Sequence, residues 1–388
     1  MFHQSTQSKN LFKSEAELIE HRKNNLTEKH GLARARIGPE IETLTHEEEH
    51  LLVRYYEQRL RDFCQSFRAY NNGQKIEGLF VPRHVTYTAL YYFKRVYLKN
   101  TIMDSHPRLM MLGCVWLAMK VEEFNVKIDE FVYNMFDSKE VALGNEKRLM
   151  QEGDDILNME YLIMEHLDYE LVAHHPFRAI EGFLLELKTF ADINKSSQQL
   201  PLEQQPPPLE FNNLHKEAHK FVVRTFQSNL MLLIPPSQIA FAAIASTCKK
   251  MKKIEPRYND VFGNYVKNYL FINDRKRRNT LNMCKMVETV LKGVESEAEI
   301  KIEGVEFVKR KLENCRDPVF NPRTKEFSEA KREKSNEHFD NEGESRSSAF
   351  GELQSGNMDD TIRTISDESD DEMMRGGGSR DQPNLLEF

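Results

Sequence analysis

Apolar residues recur every three or four positions along most of the chain, and this spacing predicts helices. Two sequences of the type Ser/Thr-x-x-Glu, which are Ser14 with Glu17 and Thr45 with Glu48, predict capping boxes at two helix starts. Pro107 stands where a further helix, the fourth along the chain, is expected to begin. Almost no segment alternates with a period of two residues. The pattern therefore predicts an all-α protein.

The predicted helices are separated by segments that are polar or contain helix-breaking residues. Residues 31–43 are expected to end the first helix, and 191–209, rich in glutamine and proline, are expected to form a loop. The predicted helices are 14–30, 45–67, 82–100, 107–123, 127–136, 146–168, 177–188, 210–230, 236–252, 258–271, 275–292 and 296–315.

One helical segment recurs weakly in the second half of the chain. Residues 107–120 can be aligned with 236–249, and both are apolar helices that begin at a proline and end at a lysine. The offset of 129 residues is too long for a solenoid repeat. It fits two five-helix domains built on one plan.

Two charged residues, Lys120 and Glu160, fall where the pattern is otherwise apolar. Lys120 ends the apolar run 109–119, and Glu160 shares a helix face with Ile156 and Ile163. Since an unpaired buried charge costs several kcal/mol, two such charges are normally matched. They would meet each other, or a partner's backbone, at the edge of a helical core. The alternative is that both side chains reach solvent from the ends of their apolar faces.

The net charge of −7 comes from the end of the chain, because residues 340–388 hold 13 acidic and 4 basic residues. That polar tail, from 317 onward, is expected to be disordered. Five cysteines without a C-x-x-C pair fit a reducing compartment. The start of the chain is polar and the longest apolar run is 11 residues, so we expect a soluble intracellular protein with no membrane association.

Three segments of the first half resemble the cyclin family. Residues 80–98, 106–126 and 159–171 look like the second, third and fifth helices of a cyclin box, and the phrase Lys-Val-Glu-Glu-Phe-Asn-Val at 120–126 is among the most specific. Within that family the chain is most similar to the cyclin H subfamily. The resemblance spans about residues 46–250.

The resemblance implies two consecutive five-helix cyclin boxes, with flanking N- and C-terminal helices and a disordered acidic tail. The expected boundaries are an N-terminal extension at 1–45, a kinase-binding first box at 46–171, a second box at 172–293, a C-terminal helix at 294–316 and the tail at 317–388. Relative to this plan, residues 70–79 look like an insertion and the loop at 191–209 looks long.

The resemblance also implies a regulatory subunit that is not itself an enzyme. It would bind and activate a cyclin-dependent kinase, the catalytic subunit of the CDK-activating kinase, together with a RING-finger assembly factor. In the nucleus, within transcription factor IIH, that complex would phosphorylate the RNA polymerase II C-terminal repeats, and it would also phosphorylate activation loops of cell-cycle kinases. No cofactor, metal or small-molecule ligand is implied, and the sequence lacks His-Arg-Asp, Asp-Phe-Gly and G-x-G-x-x-G.

Lys120 and Glu160 match the residues with which the family binds its kinase. The same match makes four neighbouring residues kinase contacts, although aromatic and methionine residues at helical spacing, as three of them are, more often serve as core packing. The four are Glu123, Phe124, Met164 and Tyr169.

Other signals leave alternatives open. His46 and His50 match H-E-x-x-H, a zinc-hydrolase motif, but they overlap a helix start and no third ligand follows at a usual spacing. Basic clusters at 249–253 and 275–278 would suit a nucleic-acid-binding transcription factor of the cyclin fold that has no kinase partner. Ser366 and Ser369 lie in an acidic context that favours phosphorylation, or the tail only promotes solubility.

Overall fold

The structure is a computed structural model that describes residues 2–37, 42–68, 70–71, 74–75, 80–105, 107–135, 146–197, 209–270, 274–296, 302–315, 325 and 329. All of these residues belong to one contact unit, residues 1–332. The predicted disordered tail, apart from positions 325 and 329, and the candidate phosphorylation sites Ser366 and Ser369 lie outside the described residues.

The described chain is almost entirely helical, as the pattern predicted. A 3₁₀ turn at Phe2–Gln4, a π-helical turn at Val266–Leu270 and a two-residue antiparallel ladder between β1 (Tyr70–Asn71) and β2 (Gln74–Lys75) are its other regular elements. The helices are α1 Thr6–Lys9, α2 Glu15–Ile37, α3 His46–Ser66, α4 Arg83–Lys99, α5 Pro107–Val121, α6 Ile128–Tyr133, α7 Glu146–His166, α8 Pro176–Ser197, α9 Phe211–Thr225, α10 Leu230–Leu233, α11 Pro236–Met251, α12 Arg257–Tyr265, α13 Asp274–Ser296 and α14 Ile302–Cys315.

The predicted capping residues begin the helices as expected. In α3, the Thr45 hydroxyl accepts from the Glu48 amide and the Glu48 carboxylate accepts from the Thr45 amide. In α2, the Glu17 amide donates to Ser14 Oγ. Each contact satisfies an amide that has no partner within its own helix.

The first set of five helices is α3 to α7, and α4 and α5 lie at its centre. Every residue from Val85 to Leu98 of α4 is buried, and α4 packs against α3, α5 and α7. Its one buried lysine, Lys94, forms an ion pair of 2.6 Å with Glu57 of α3. A helix that is buried on all sides is typical of a domain core.

The second set is α8, α9, α11, α12 and α13, arranged around α11. Residues 239–244 of α11 are all buried, and α11 packs against each of the other four helices. The helix α11 thus has the central role in the second set that α5 shares with α4 in the first. The weak repeat in the sequence predicted this correspondence.

The flanking segments are attached to the two sets by specific contacts. The Gln7 side chain makes two hydrogen bonds with the backbone of His174, the residue between the sets, at 2.7 and 3.2 Å. The C-terminal helix α14 packs on α3, where Lys311 lies 3.0 Å from a Glu48 oxygen.

Two helices are longer than the pattern predicted. The helix α2 continues through Gly31 to Ile37, because Ala33 is fully buried on the face that also holds Leu18, and one helical glycine costs only about 1 kcal/mol. The helix α8 continues to Ser197, so the expectation of a loop from residue 191 was wrong for 191–197, which contain neither proline nor glycine. Residues 198–208 are outside the described part.

Among the described helices, none is both long and apolar enough to cross a membrane. All five cysteines are unpaired and buried. Burial raises the pKa of Cys64 and of Cys248 to about 12, which keeps both thiols protonated and unreactive.

Candidate functional site

Lys120 and Glu160, the two charges that the sequence places among apolar residues, meet at the edge of the first helical set. Lys120 lies in the last turn of α5, Glu160 lies on α7, and the two helices pack together. The Lys120 ammonium donates to Glu160 Oε1 as an ion pair. The Lys120 side chain is 51% exposed, whereas that of Glu160 is 14% exposed. The prediction that the charges pair is confirmed, and the lysine remains accessible to solvent.

Trp116 fixes the other oxygen of the same carboxylate. Its indole Nε1 donates to Glu160 Oε2 over 3.2 Å, and its ring packs edge-on against Phe131 at 5.5 Å. Since both carboxylate oxygens are held, Glu160 has one orientation. The sequence analysis missed Trp116, although it lies four residues before Lys120 and therefore on the same face of α5.

Gly113 sets how closely α5 approaches α7. A Cβ atom at this position would lie 2.6 Å from Ile163 Cδ1 and 3.2 Å from Met159 Cβ. Both distances are shorter than ordinary carbon–carbon contacts. The glycine therefore allows α5 and α7 to pack closely two turns before Lys120.

The helix α5 ends in a Schellman motif built without glycine. Glu123 has a positive φ of 58°, and the Phe124 amide donates to the Met119 carbonyl over 2.8 Å. A positive φ is uncommon for a residue with a Cβ atom. The turn exposes the Glu123 side chain and packs half-buried Phe124 against the core.

The helix α7 also ends in a Schellman motif without glycine, but here two successive residues have a positive φ. Asp168 and Tyr169 have φ values of 54° and 58°, and the Tyr169 amide donates to the Met164 carbonyl over 2.9 Å. Met164 is half-buried against the core, whereas Tyr169 is 58% exposed. Both helix ends thus present a predicted site residue directly after a left-handed turn.

Three large apolar or aromatic side chains of α7 and its end are exposed beside this ion pair. Leu157, Tyr161 and Tyr169 are 42%, 45% and 58% exposed. A hydrogen bond with Tyr161 raises the pKa of Tyr169, so the two phenols touch. We call Lys120, Glu160 and these three residues the α5–α7 surface. Leu157 and Tyr161 were not identified from the sequence.

The central helix α4 holds the ends of α5 and α7 in place. Thr88 Oγ1 donates to a Glu122 carboxylate oxygen over 2.6 Å, directly after α5. Arg95 donates to the Glu170 carboxylate over 2.7 Å and to the Glu170 carbonyl over 3.0 Å, four residues after the end of α7. The α5–α7 surface therefore rests on the most buried helix of the set.

The H-E-x-x-H residues do not converge on one point. His50 Nδ1 lies 3.3 Å from an Arg22 guanidinium nitrogen, and His46 stacks on His30 at 5.0 Å. In the part of the chain that the structure describes, three metal-binding side chains gather elsewhere, at Glu181, His215 and His219.

The first basic cluster, at 249–253, is partly paired with acidic residues. Lys249 lies 3.6 Å from Glu288, and Lys250 lies 3.0 Å from Glu217. Lys252 and Lys253 are exposed. Surface ion pairs of this kind contribute about 0–1 kcal/mol each to the stability of the folded chain.

Two family models match most of the helical part of the chain. The cyclin N-terminal domain matches residues 76–172, and the cyclin C-terminal domain matches residues 175–300. Among curated proteins, Cyclin-H of Xenopus laevis is 38% identical over 254 residues, which cover 64% of this chain and 69% of that protein. Cyclin-H1-1 of Arabidopsis thaliana is 25% identical over 275 residues, which cover 71% and 69%.

Solved structures share the fold. A chain from the CAK complex of Chaetomium thermophilum bound to ATP-γ-S superposes with a TM-score of 0.62 at 19% identity, covering 92% of this chain and 98% of that one. A chain from the yeast TFIIK complex superposes with a TM-score of 0.50 at 17% identity, covering 74% and 99%.

Proposed function

This chain belongs to the cyclin family, and from that premise we propose that it is a regulatory cyclin that binds and activates a cyclin-dependent kinase. The complex would be a CDK-activating kinase. It would phosphorylate the activation loops of cell-cycle kinases and, within transcription factor IIH, the C-terminal repeats of RNA polymerase II. The similarity to Cyclin-H of Xenopus laevis and the shared fold with chains of the CAK and TFIIK complexes support this assignment.

The observation that best supports a protein partner is the α5–α7 surface. It combines a fixed carboxylate, a half-exposed ammonium and three exposed apolar or aromatic side chains on one rigid support. Interface centres are enriched in aromatic residues and depleted in charged residues, and a charge that is buried there must be paired. A kinase backbone placed over Lys120 and Glu160 could accept from the one and donate to the other. Glu123, Phe124, Met164 and Tyr169 would form further contacts.

Activation follows from differential binding to two kinase conformations. A kinase is active only when its strand lysine pairs with the glutamate of its αC helix. A cyclin that binds this conformation more tightly shifts the population toward it, and a shift from 1:99 to 99:1 requires about 5.5 kcal/mol. The catalytic groups would all belong to the kinase, so the chain's part is regulatory.

Charge reversal of the exposed lysine tests the proposal. We expect Lys120→Glu to weaken kinase binding by roughly 30-fold or more, because it leaves Glu160 unpaired under the partner. The folded chain should lose only about 1 kcal/mol, since the lysine is 51% exposed. Affinity is measured by titrating the purified kinase, and stability by thermal melting.

The second helical set provides a matched control. Lys249 stands 129 residues after Lys120, ends the corresponding helix α11 and also faces a carboxylate, that of Glu288. We expect Lys249→Glu to leave kinase affinity unchanged. Wild-type affinity for the Lys120→Glu chain, with an unaltered melting temperature, would refute the proposed contact.

The remaining partners and the location rest on the family assignment. A RING-finger assembly factor and the transcription factor IIH core would join the cyclin and its kinase, and the complex would act in the nucleus. Affinity purification of the tagged chain from nuclei, followed by mass spectrometry, tests these partners together. Recovery of the kinase without a RING-finger protein would contradict the three-subunit assembly.

A nucleic-acid-binding cyclin-fold protein is the second candidate function. It would use the exposed Lys252 and Lys253 together with the cluster at 275–278. This function requires steeply salt-dependent DNA binding by the isolated chain. Recovery of DNA-bound transcription proteins without any kinase would favour it over the regulatory cyclin.

A further inference from the structure

The second helical set brings together three side chains that could bind a metal ion. His215 and His219 lie one turn apart on the same face of α9, and Glu181 faces them from α8. Glu181 Oε1 is 2.5 Å from His215 Nε2 and 3.4 Å from His219 Nε2. All three ligand atoms lie within 4.8 Å of one another.

One side of this cluster is buried and the other is open. The His219 side chain is 14% exposed and its ring packs on Phe177 at 5.0 Å. Its Nε2 atom is buried and makes no hydrogen bond to any described residue. His215 and Glu181 are 36% and 58% exposed, so solvent reaches the cluster from their side.

The donor set is one that Zn²⁺ prefers. Two imidazole nitrogens and one carboxylate oxygen bind zinc at about 2.0–2.2 Å, which separates neighbouring ligand atoms by about 3.3–3.5 Å in tetrahedral geometry. The 3.4 Å between His219 and Glu181 has this value. The shorter His215–Glu181 contact must lengthen by about 1 Å, and both of its side chains are exposed enough to move.

We propose that Glu181, His215 and His219 bind one Zn²⁺ ion, which would link α8 to α9 and leave a fourth coordination position open to solvent. An ion pair between Glu181 and His215 alone would leave His219 Nε2 buried without a hydrogen bond, which costs folding free energy. A bound ion satisfies all three groups. This site is on the second helical set and does not depend on kinase binding.

One neighbouring positive charge opposes cation binding at His219. Arg83 acts on the same ring with a positive charge. That charge would weaken cation binding without blocking it, because the glutamate supplies a compensating negative charge.

Zinc titration of the full chain, purified without a histidine tag, tests the site. We expect one zinc ion per chain by elemental analysis after dialysis, and a melting temperature that zinc raises and EDTA lowers again. The substitutions His215→Ala and Glu181→Gln should each weaken zinc binding by roughly 100-fold or more, since even outer-sphere changes cost 10- to 100-fold. Cobalt substitution should give tetrahedral absorption bands in the wild type and not in these two variants.

A control on the same helix separates the site from general surface charge. Glu217 is a half-buried carboxylate of α9 that already pairs with Lys220 and Lys250. We expect Glu217→Gln to keep wild-type zinc affinity. Equal zinc affinity in the wild type and in Glu181→Gln would overturn the proposal. Because Glu181 is largely exposed, that variant should stay folded even if a histidine variant does not.

Discussion

The close contact between α5 and α7 at Gly113 leads to a quantitative prediction. Replacing Gly113 by alanine adds one methyl group, which would lie 2.6 Å from Ile163 Cδ1 and 3.2 Å from Met159 Cβ. The first contact is with the end of a flexible side chain. The second is with an atom whose position is set by the backbone of α7. The methyl group therefore forces the isoleucine to move and the helices to separate slightly.

Two opposing terms set the magnitude of the effect. Alanine is favoured over glycine in a helix interior by about 1 kcal/mol. Overpacking a filled core costs about 1–3 kcal/mol. We therefore expect Gly113→Ala to lower the free energy of unfolding by about 1 kcal/mol, where propensity alone would raise it.

A double-mutant cycle identifies the atom responsible. Ile163→Val deletes the Cδ1 atom that the new methyl group meets, and alone it should cost about 1 kcal/mol. In the double variant the worst contact is absent, so the two losses should not add. We expect a favourable coupling of about 1 kcal/mol, measured by urea unfolding of all four proteins.

Gly182 of α8 serves as the control, since a Cβ atom there would meet nothing within 4 Å. Gly182→Ala should stabilise the chain by up to about 1 kcal/mol. The reasoning is refuted if Gly113→Ala is as stabilising as Gly182→Ala. It is also refuted if the losses from Gly113→Ala and Ile163→Val add to within about 0.4 kcal/mol.

Three further predictions follow from individual contacts. Trp116→Phe keeps an aromatic ring but removes the donor to Glu160, so kinase affinity in a titration should fall. The melting temperature should also fall, because the buried indole is replaced by a smaller ring. Lys94→Met should lower the free energy of unfolding by about 3 kcal/mol in urea, because buried Glu57 loses its 2.6 Å ion pair and keeps only the more distant charges of Arg22 and Arg61. Adding Glu57→Leu should recover only part of the loss, because Arg22 then loses a compensating charge. Burial lowers the pKa of His175 to about 4, so between pH 6.5 and 4 the unfolded chain binds more protons than the folded one; stability should fall as the pH falls through this range, and His175→Asn should reduce the slope of a melting-temperature series.

The parts of the fold that the sequence predicts are those with local causes. The capping box at Thr45 is complete, with both contacts spanning three residues. At Ser14 the Glu17 amide donates to Oγ as predicted, but the Glu17 carboxylate accepts from the Lys13 amide instead of the Ser14 amide. The helix α5 begins at Pro107 and α11 at Pro236, where the missing proline amide costs nothing. Each of these signals is contained in a few adjacent residues.

The helix ends could not be predicted in the same way, because tertiary burial decides them. The helix α2 extends past Gly31 because Ala33 is buried in the core, which outweighs the low helix propensity of glycine. The end of α5 is harder still, because the left-handed residue is Glu123 where glycine would be the usual signal. No feature of the sequence marks that position as a Schellman motif.

The candidate zinc site shows a related limit. The spacing of His215 and His219 was visible in the sequence, as was the equal spacing of His46 and His50. The two histidine pairs differ because a third ligand, Glu181, lies beside His215 and His219. Glu181 is 34 residues before His215 and on another helix. Only the packing of α8 against α9 brings it within reach.

The comparison of the two helical sets explains why a partner would bind the first. Lys120 and Lys249 occupy matching positions of the repeat, and each faces a carboxylate of another helix. The second pair is 3.6 Å apart with its lysine 73% exposed, as in an ordinary surface ion pair. In the Lys120–Glu160 pair, the Trp116 indole also donates to the carboxylate, and exposed aromatic side chains lie beside the pair. A lysine–carboxylate pair at the matching position is therefore not sufficient for partner binding. The Lys120–Glu160 pair is held in one orientation beside exposed apolar side chains, so a partner can remove its water at a low cost in free energy.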